Sequence, residues 1–237
     1  YTWPPGSVSD GFGDGAEKLG GPQSSRVAFV SMLGQHFQNP YAMWYRNQTV
    51  GNTPFRSSPM MEWLAIRLGE GRWVQAKAPR DLPSAKAFRD VGVVSMHTSL
   101  ADSAQNLNVA FRSSPFGSTN HMHASQNSFN LMYGGVRLFQ SSGYYIAYGD
   151  EHFNGWYKHS KGHNTVLMDG KGQAFGAEGY GLIARFLDGK RISYCLGDAS
   201  QAYGDAGLTR FRRHLVLLKP GTVVVYDDLE PDHPARW

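Results

Sequence analysis

An α+β fold, with a short run of helices leading into layers of antiparallel strands, is what the order of hydrophobic patterns predicts for this 237-residue chain. Three observations carry that prediction. Helical spacing of apolar residues is confined to the stretch before Pro79, alternating and β-branched runs fill the remainder, and Gly-rich turns separate those runs. Helices first and strands afterwards argue for two layers or two domains and against a parallel βαβ sheet, in which the two alternate.

Residues 1–23 hold Tyr1-Thr-Trp-Pro-Pro-Gly and then Asp10-Gly-Phe-Gly-Asp-Gly, a loop composition dense in turn formers. From Ser24 to about Asn39, Val27, Val30, Leu33 and Phe37 recur at helical spacing behind a capping serine. A second helix is expected from Pro40 to about Asn47. A third begins near Ser58 with Pro59 in its first turn, carries Met61, Leu64 and Leu68 on one face, and stops at Gly69 and Gly71. Three such helices cannot close a bundle around their broad apolar faces, so they are expected to pack on the strands or on a further part of the protein. Strands are expected at about 91–98, 107–112, 127–133, 136–142, 164–168, 182–187, 191–196, 211–218 and 222–227. The clearest hairpin joins the last two across Lys219-Pro220-Gly221. These patterns divide the chain into helical residues 1–84 and a sheet domain at 85–237.

Composition narrows the function classes. A formal charge of +4 makes the surface mildly basic, which suits an anionic polymer, while no run of Lys and Arg points to nucleic acid. No apolar run approaches the roughly 20 residues of a membrane-spanning helix. The single cysteine, Cys195, cannot form an internal disulfide. Aromatic residues reach 13% and are interspersed with Gly, Asn and His, a mixture that serves equally for core packing and for stacking on sugar rings. The chain opens at Tyr1 and stops at Trp237 after a strand-like segment, so both ends are expected to be cut from something longer.

Two clusters could carry chemistry. The first is Asn120-His121-Met122-His123-Ala124-Ser125-Gln126-Asn127. If residues 121–123 are extended, His121 and His123 share one face, and two such imidazoles suit a metal, a base beside a ligand, or plain hydrogen bonding. The second runs from Ser141-Ser142-Gly143-Tyr144-Tyr145 through Tyr148, Asp150, His152, Trp156, Tyr157 and His159 to Gly162-His163-Asn164-Thr165-Val166-Leu167. A loop that long, and that aromatic, is built for a site more readily than for disorder. Singly, His152 and His159 read as surface residues.

The ordered set His121-x-His123, Ser-Gly-Tyr-Tyr, and Gly-His163-Asn164-Thr-Val-Leu with Asp169-Gly-Lys-Gly-Gln173 resembles the β-sandwich domain of heparinase II/III-like polysaccharide lyases. The resemblance spans about residues 85–237, and the preceding helices resemble the end of that family's (α/α) toroid. It implies β-elimination at a uronate. His121 matches the cleft histidine that assists the elimination, and His123 and His163 match two ligands of a structural zinc ion. The family's third ligand is an aspartate where this chain has Ser141, and the acid shortly after the second histidine is replaced by Ser125. A neutral hydroxyl is a poor substitute for a carboxylate on zinc, leaving Asp150 as a stand-in. The tyrosine that shares the proton transfer is expected upstream of this chain. Substrate contacts are expected from Asn120, Arg112, Tyr144, Tyr148 and Trp156, with Arg112 gripping a carboxylate through its fork. The resemblance further implies a periplasmic or secreted bacterial protein. Alginate is favoured over heparan, hyaluronan or chondroitin as substrate, and the alternatives are a non-catalytic carbohydrate-binding or scaffold domain and, behind it, a hydrolase. Hydrolysis needs two opposed carboxylates, which Asp150, Glu151 and Glu178 do not form.

Overall fold

The computed structural model describes residues 11–14, 24–50, 63, 67 and 74–237. Among the described residues two helices precede the strands, α1 (Ser24–His36) and α2 (Pro40–Val50), packed on each other. Asn39 caps α2, its Oδ1 accepting from the backbone N–H groups of Tyr41 (3.0 Å) and Ala42 (3.1 Å), and Pro40 fills the first helical position, where no N–H is needed. The buried stripe of α1 is Val27, Ala28 and Met32, whereas Phe37 lies past the helix end and is exposed. The expected third helix lies outside the described residues, save Trp63 and Arg67, both helical.

Among the described residues, nine strands form two antiparallel sheets. The first holds β1 (Ala85–Phe88), β2 (Val93–His97), β3 (Leu107–Arg112), β4 (Ser128–Tyr133) and β5 (Val136–Phe139); the second holds β6 (Leu182–Asp188), β7 (Ile192–Asp198), β8 (Leu208–Leu218) and β9 (Thr222–Pro231). In both sheets the strands are neighbours in chain order, as a meander of hairpins requires. The sheets close on a shared core in which Val94, Met96, Val109, Phe111 and Leu131 meet Ile183, Cys195, Leu215 and Leu217. Each such side chain contributes roughly 1.5–3 kcal/mol by leaving water. Gly197 marks the closest approach, since a Cβ there would stand 2.1 Å from Asn127 Oδ1 and 2.5 Å from the Phe111 ring.

Two expectations are corrected. Strand β1 was not expected, because Ala-Lys-Ala-Phe has little intrinsic strand preference and owes its conformation to pairing with β2. Residues 164–168 form no strand; Arg213 and the Tyr203 hydroxyl satisfy the carbonyls of Asn164 (2.5 Å) and Val166 (2.6 Å) in place of a neighbouring strand.

The outer face of the first sheet is polar yet buried. β3 is covered on both sides, so His97, Asn108, Arg112 and Asn130 are enclosed along with the apolar residues between them. Asn106 donates to His97 Nδ1 at 3.0 Å and Ser95 Oγ lies 2.9 Å from Nε2, holding a ring whose pKa burial lowers from 6.5 to about 4. The folded protein keeps this imidazole neutral while the unfolded chain protonates it below 6.5. His97 therefore adds full stability above that pH and loses it as pH falls toward 4, a difference of about 3 kcal/mol. Urea unfolding at pH 7 and at pH 4.5 should show the parent protein losing more stability than His97→Gln; equal losses would remove His97 as the acid-labile group.

Candidate active site

The site forms where the connection between β3 and β4 meets the aromatic loop after β5. Residues 119–122 make a turn closed by the Met122 N–H on the Thr119 carbonyl (3.0 Å), with Asn120 in the left-handed region at φ +52°. His121 and His123 are therefore not on an extended strand. The turn leaves the His121 side chain 64% exposed and buries that of His123 completely.

The aromatic loop supports this turn from below. Its residues Phe153–Tyr157 form a π-helical turn that Asp150 caps, Oδ1 accepting from Phe153 N (2.6 Å) and Oδ2 from Ala147 N (3.1 Å). Lys158 follows, nearly buried. Its Nζ donates to the Asn120 carbonyl at 2.8 Å and lies 5.5–5.9 Å from the ring centroids of Phe153, Tyr148 and Phe175. Burial lowers its pKa, with the charge of Asp14 opposing. The Lys158 carbonyl accepts from Ala124 N (2.9 Å), so one residue holds the histidine turn at both ends.

Asp14 enters from the N-terminal loop and joins the two histidines. Its Oδ2 lies 2.6 Å from His121 Nδ1 and its Oδ1 2.8 Å from His123 Nε2. Its own N–H donates to the His121 carbonyl at 3.0 Å, and Asn130 Nδ2 donates to the Gly11 carbonyl at 3.0 Å. Gly13 allows the approach: at φ +86° a Cβ would stand 2.6 Å from the His121 carbonyl oxygen.

Hydrogen-bond direction follows from these partners. A carboxylate only accepts, so both histidine nitrogens facing Asp14 carry protons. Neutral His123 then presents its Nδ1 as an acceptor to His163 Nε2, 3.2 Å away, whose N–H also faces the Tyr157 carbonyl at 3.1 Å. His163 Nδ1 in turn accepts from the Ser141 hydroxyl at 2.8 Å. The chain runs from Ser141 through His163 and His123 to Asp14. Burial lowers the pKa of both inner rings, that of His163 to about 3, which keeps the relay neutral between its ends.

A structural zinc does not fit this donor set. An ion shared by the two rings would sit between His123 Nδ1 and His163 Nε2, whose separation suits nitrogens about 2.0–2.1 Å from a metal. The oxygens needed to complete a tetrahedron face elsewhere: Ser141 is on the far nitrogen of His163, Asp14 on the far nitrogen of His123, and Asp150 caps its helical turn. Among the described residues no group of three His, Cys, Asp or Glu side chains is placed to hold a metal.

The remaining expected contacts divide. Tyr148 is exposed and meets His121 edge-on at 5.4 Å, and Asn120 adjoins it in sequence and is exposed. Tyr144 stacks on His152 at 4.3 Å, and Trp156 Nε1 donates to Ser142 Oγ at 3.1 Å; both rings are about half exposed along the same loop. Arg112 is corrected. Its guanidinium is fully buried, donating to the carbonyls of Gly117 (2.6 Å) and His123 (3.3 Å) and to Ser125 Oγ (3.3 Å), because period-two alternation in β3 turns it to the enclosed face. It braces the histidine turn from inside, shielded from solvent. Asp14 and Lys158 were not singled out in the sequence. The signal for Asp14 was its place in Gly11-Phe-Gly13-Asp14-Gly15, where glycines permit close backbone contact; nothing local distinguishes Lys158.

A family described as heparinase II/III-like, C-terminal, matches residues 80–236. Among solved structures, the heparan sulfate lyase HepC from Pedobacter heparinus superposes with a TM-score of 0.65 at 17% identity, covering 95% of this chain and 30% of its own. A heparinase III gives a TM-score of 0.65 at 15% identity, covering 97% and 31%, and a heparinase III gene product with methylated lysines gives 0.60 at 15%, covering 94% and 29%. At such identities the likeness is one of fold, and the chain spans about 30% of the length of these relatives. No curated protein matches it in sequence.

Proposed function

The chain belongs to the heparinase II/III-like family, whose C-terminal domain it carries, and on that premise we propose that it is part of a lyase that breaks a uronate-containing polysaccharide by β-elimination. The observation that carries the reading is one exposed imidazole, His121, rising from a buried polar relay beside the exposed ring of Tyr148. In the reaction a base takes the proton from C5 of the uronate, the C4–O bond breaks as the C4–C5 double bond forms, and an acid returns a proton to the departing oxygen. His121 Nε2 is the proton carrier at this face. Asn120 polarises the uronate carboxyl group where charge develops, and Tyr148, with Tyr144 and Trp156 further along the loop, stacks on sugar rings. The tyrosine that shares the proton transfer belongs, in this reading, to an upstream part of the whole protein.

A glycosaminoglycan of the heparan sulfate kind is the proposed substrate, because the superposing structures include a heparan sulfate lyase and heparinases. Alginate, favoured by the sequence motifs, is not supported by the relatives named above. A polymer of this kind lies outside the cytoplasm, which supports a periplasmic or secreted protein. The full-length protein is expected to generate ultraviolet-absorbing unsaturated uronates from heparan sulfate ahead of chondroitin, hyaluronan and alginate. Binding without any such product would make it a carbohydrate-binding module.

The histidine pair, in the same reading, is held by a shared proton and not by zinc. Elemental analysis of the purified protein should find far less than one zinc per chain; a stoichiometric ion surviving dialysis would overturn this.

A further inference from the structure

Asp14 lies in a loop far from the sheet domain in sequence, yet it touches the two residues on which the site turns. We propose that Asp14 is the positioning residue of this site, a single carboxylate that fixes the tautomers of His121 and His123 together. Its effect on turnover rests on the lyase reading above; its effect on the rings does not.

The argument is one of donors and acceptors. Each oxygen of Asp14 receives one ring N–H, so neutral His121 is protonated on Nδ1 and presents Nε2 with a free lone pair. Without a fixed partner an exposed imidazole samples both tautomers and many rotamers, and only one tautomer can accept a proton at Nε2. The other oxygen ties this exposed ring to a buried one, and the bond from Asp14 N to the His121 carbonyl fixes the backbone of the same residue.

Asp14→Asn separates this role from mere packing. A carboxamide has the shape of the carboxylate but offers one acceptor and one donor, so the two rings can no longer both donate. Reversing His123 would reverse His163 in turn and take its N–H from the Tyr157 carbonyl. Among the described residues His121 has no such chain behind it, so it is the ring that changes, moving its proton to Nε2.

The experiment is nitrogen-15 NMR of the histidine side chains in the full chain at about pH 8, where an ordinary imidazole is neutral. The parent protein should show His121 protonated on Nδ1, and Asp14→Asn should show it protonated on Nε2 with His123 unchanged. An Nε2–H tautomer in the parent, or the same His121 tautomer in both proteins, would overturn the proposal. Should Asp14→Asn fail to fold, Gly13→Ala displaces the same segment through its 2.6 Å clash and must give the same loss of the Nδ1–H form. On the full-length lyase, Asp14→Asn should lower kcat by about a hundredfold or more with KM within about threefold. A parent protein with the Nδ1–H tautomer but no cleavage of any uronate polymer would sink the lyase reading and leave the positioning role standing.

Discussion

Replacing His121 by alanine in the full-length protein is expected to lower eliminative cleavage by about 10²–10⁴-fold, the usual contribution of one positioned acid–base group, while leaving polymer binding and the unfolding midpoint near those of the parent. The expectation of intact folding comes from exposure. The His121 side chain is 64% exposed and Asp14 keeps its bond to His123, so truncation opens no cavity and strands no buried charge. His123→Ala should behave differently. That ring is fully buried between Asp14, His163 and Tyr157, and its loss removes partners from two groups at once. Turnover at parental rates in His121→Ala, measured as unsaturated product, would take this residue out of the mechanism.

Arg213→Met is expected to cost about 3–5 kcal/mol of stability, the range for removing one partner of a buried ion pair. Arg213 on β8 grips Asp227 on β9 with two bonds of 2.7 Å, and its NH1 donates to the carbonyls of Asn127 (2.7 Å) and Asn164 (2.5 Å). Its guanidinium also lies 5.7 Å from the Phe129 ring and 5.4 Å from Phe211. One side chain thus ties the second sheet to the start of β4 and to the segment carrying His163. Methionine keeps much of the volume but leaves a carboxylate and two carbonyls without this donor. Lysine keeps the charge without the planar fork and should recover only part of the loss. Urea unfolding of the three proteins tests this, and an unchanged midpoint in Arg213→Met would show that the network contributes nothing net.

The legible and illegible parts of the site differ in how far apart their residues lie in the chain. His121, His123 and His163 stood out because each sits in a dense local cluster of polar residues. Arg112 was misassigned because strand alternation reports which residues share a face and is silent on what covers that face; the polar side of β3 is as buried as its apolar side. Asp14 looked like one more loop acid because its partners are 107 and 109 residues away. Lys158 was hidden for the same reason, its three aromatic neighbours and its bond to Asn120 being assembled only by folding.

Legible in the residues alone were the change from helices to strands, most strand positions and the long hairpin across Pro220, since periodicity and turn chemistry are local properties that a linear reading retains. Folding was needed to show which imidazole is exposed, which group each ring nitrogen faces, that Ser141 and Asp14 face away from the space between the paired rings, and that Arg112 is a brace. Those depend on donors, acceptors and solvent access brought together across the chain, and a hydrogen bond or a shielded charge has no signature in the spacing of residues that meet only when the fold is complete.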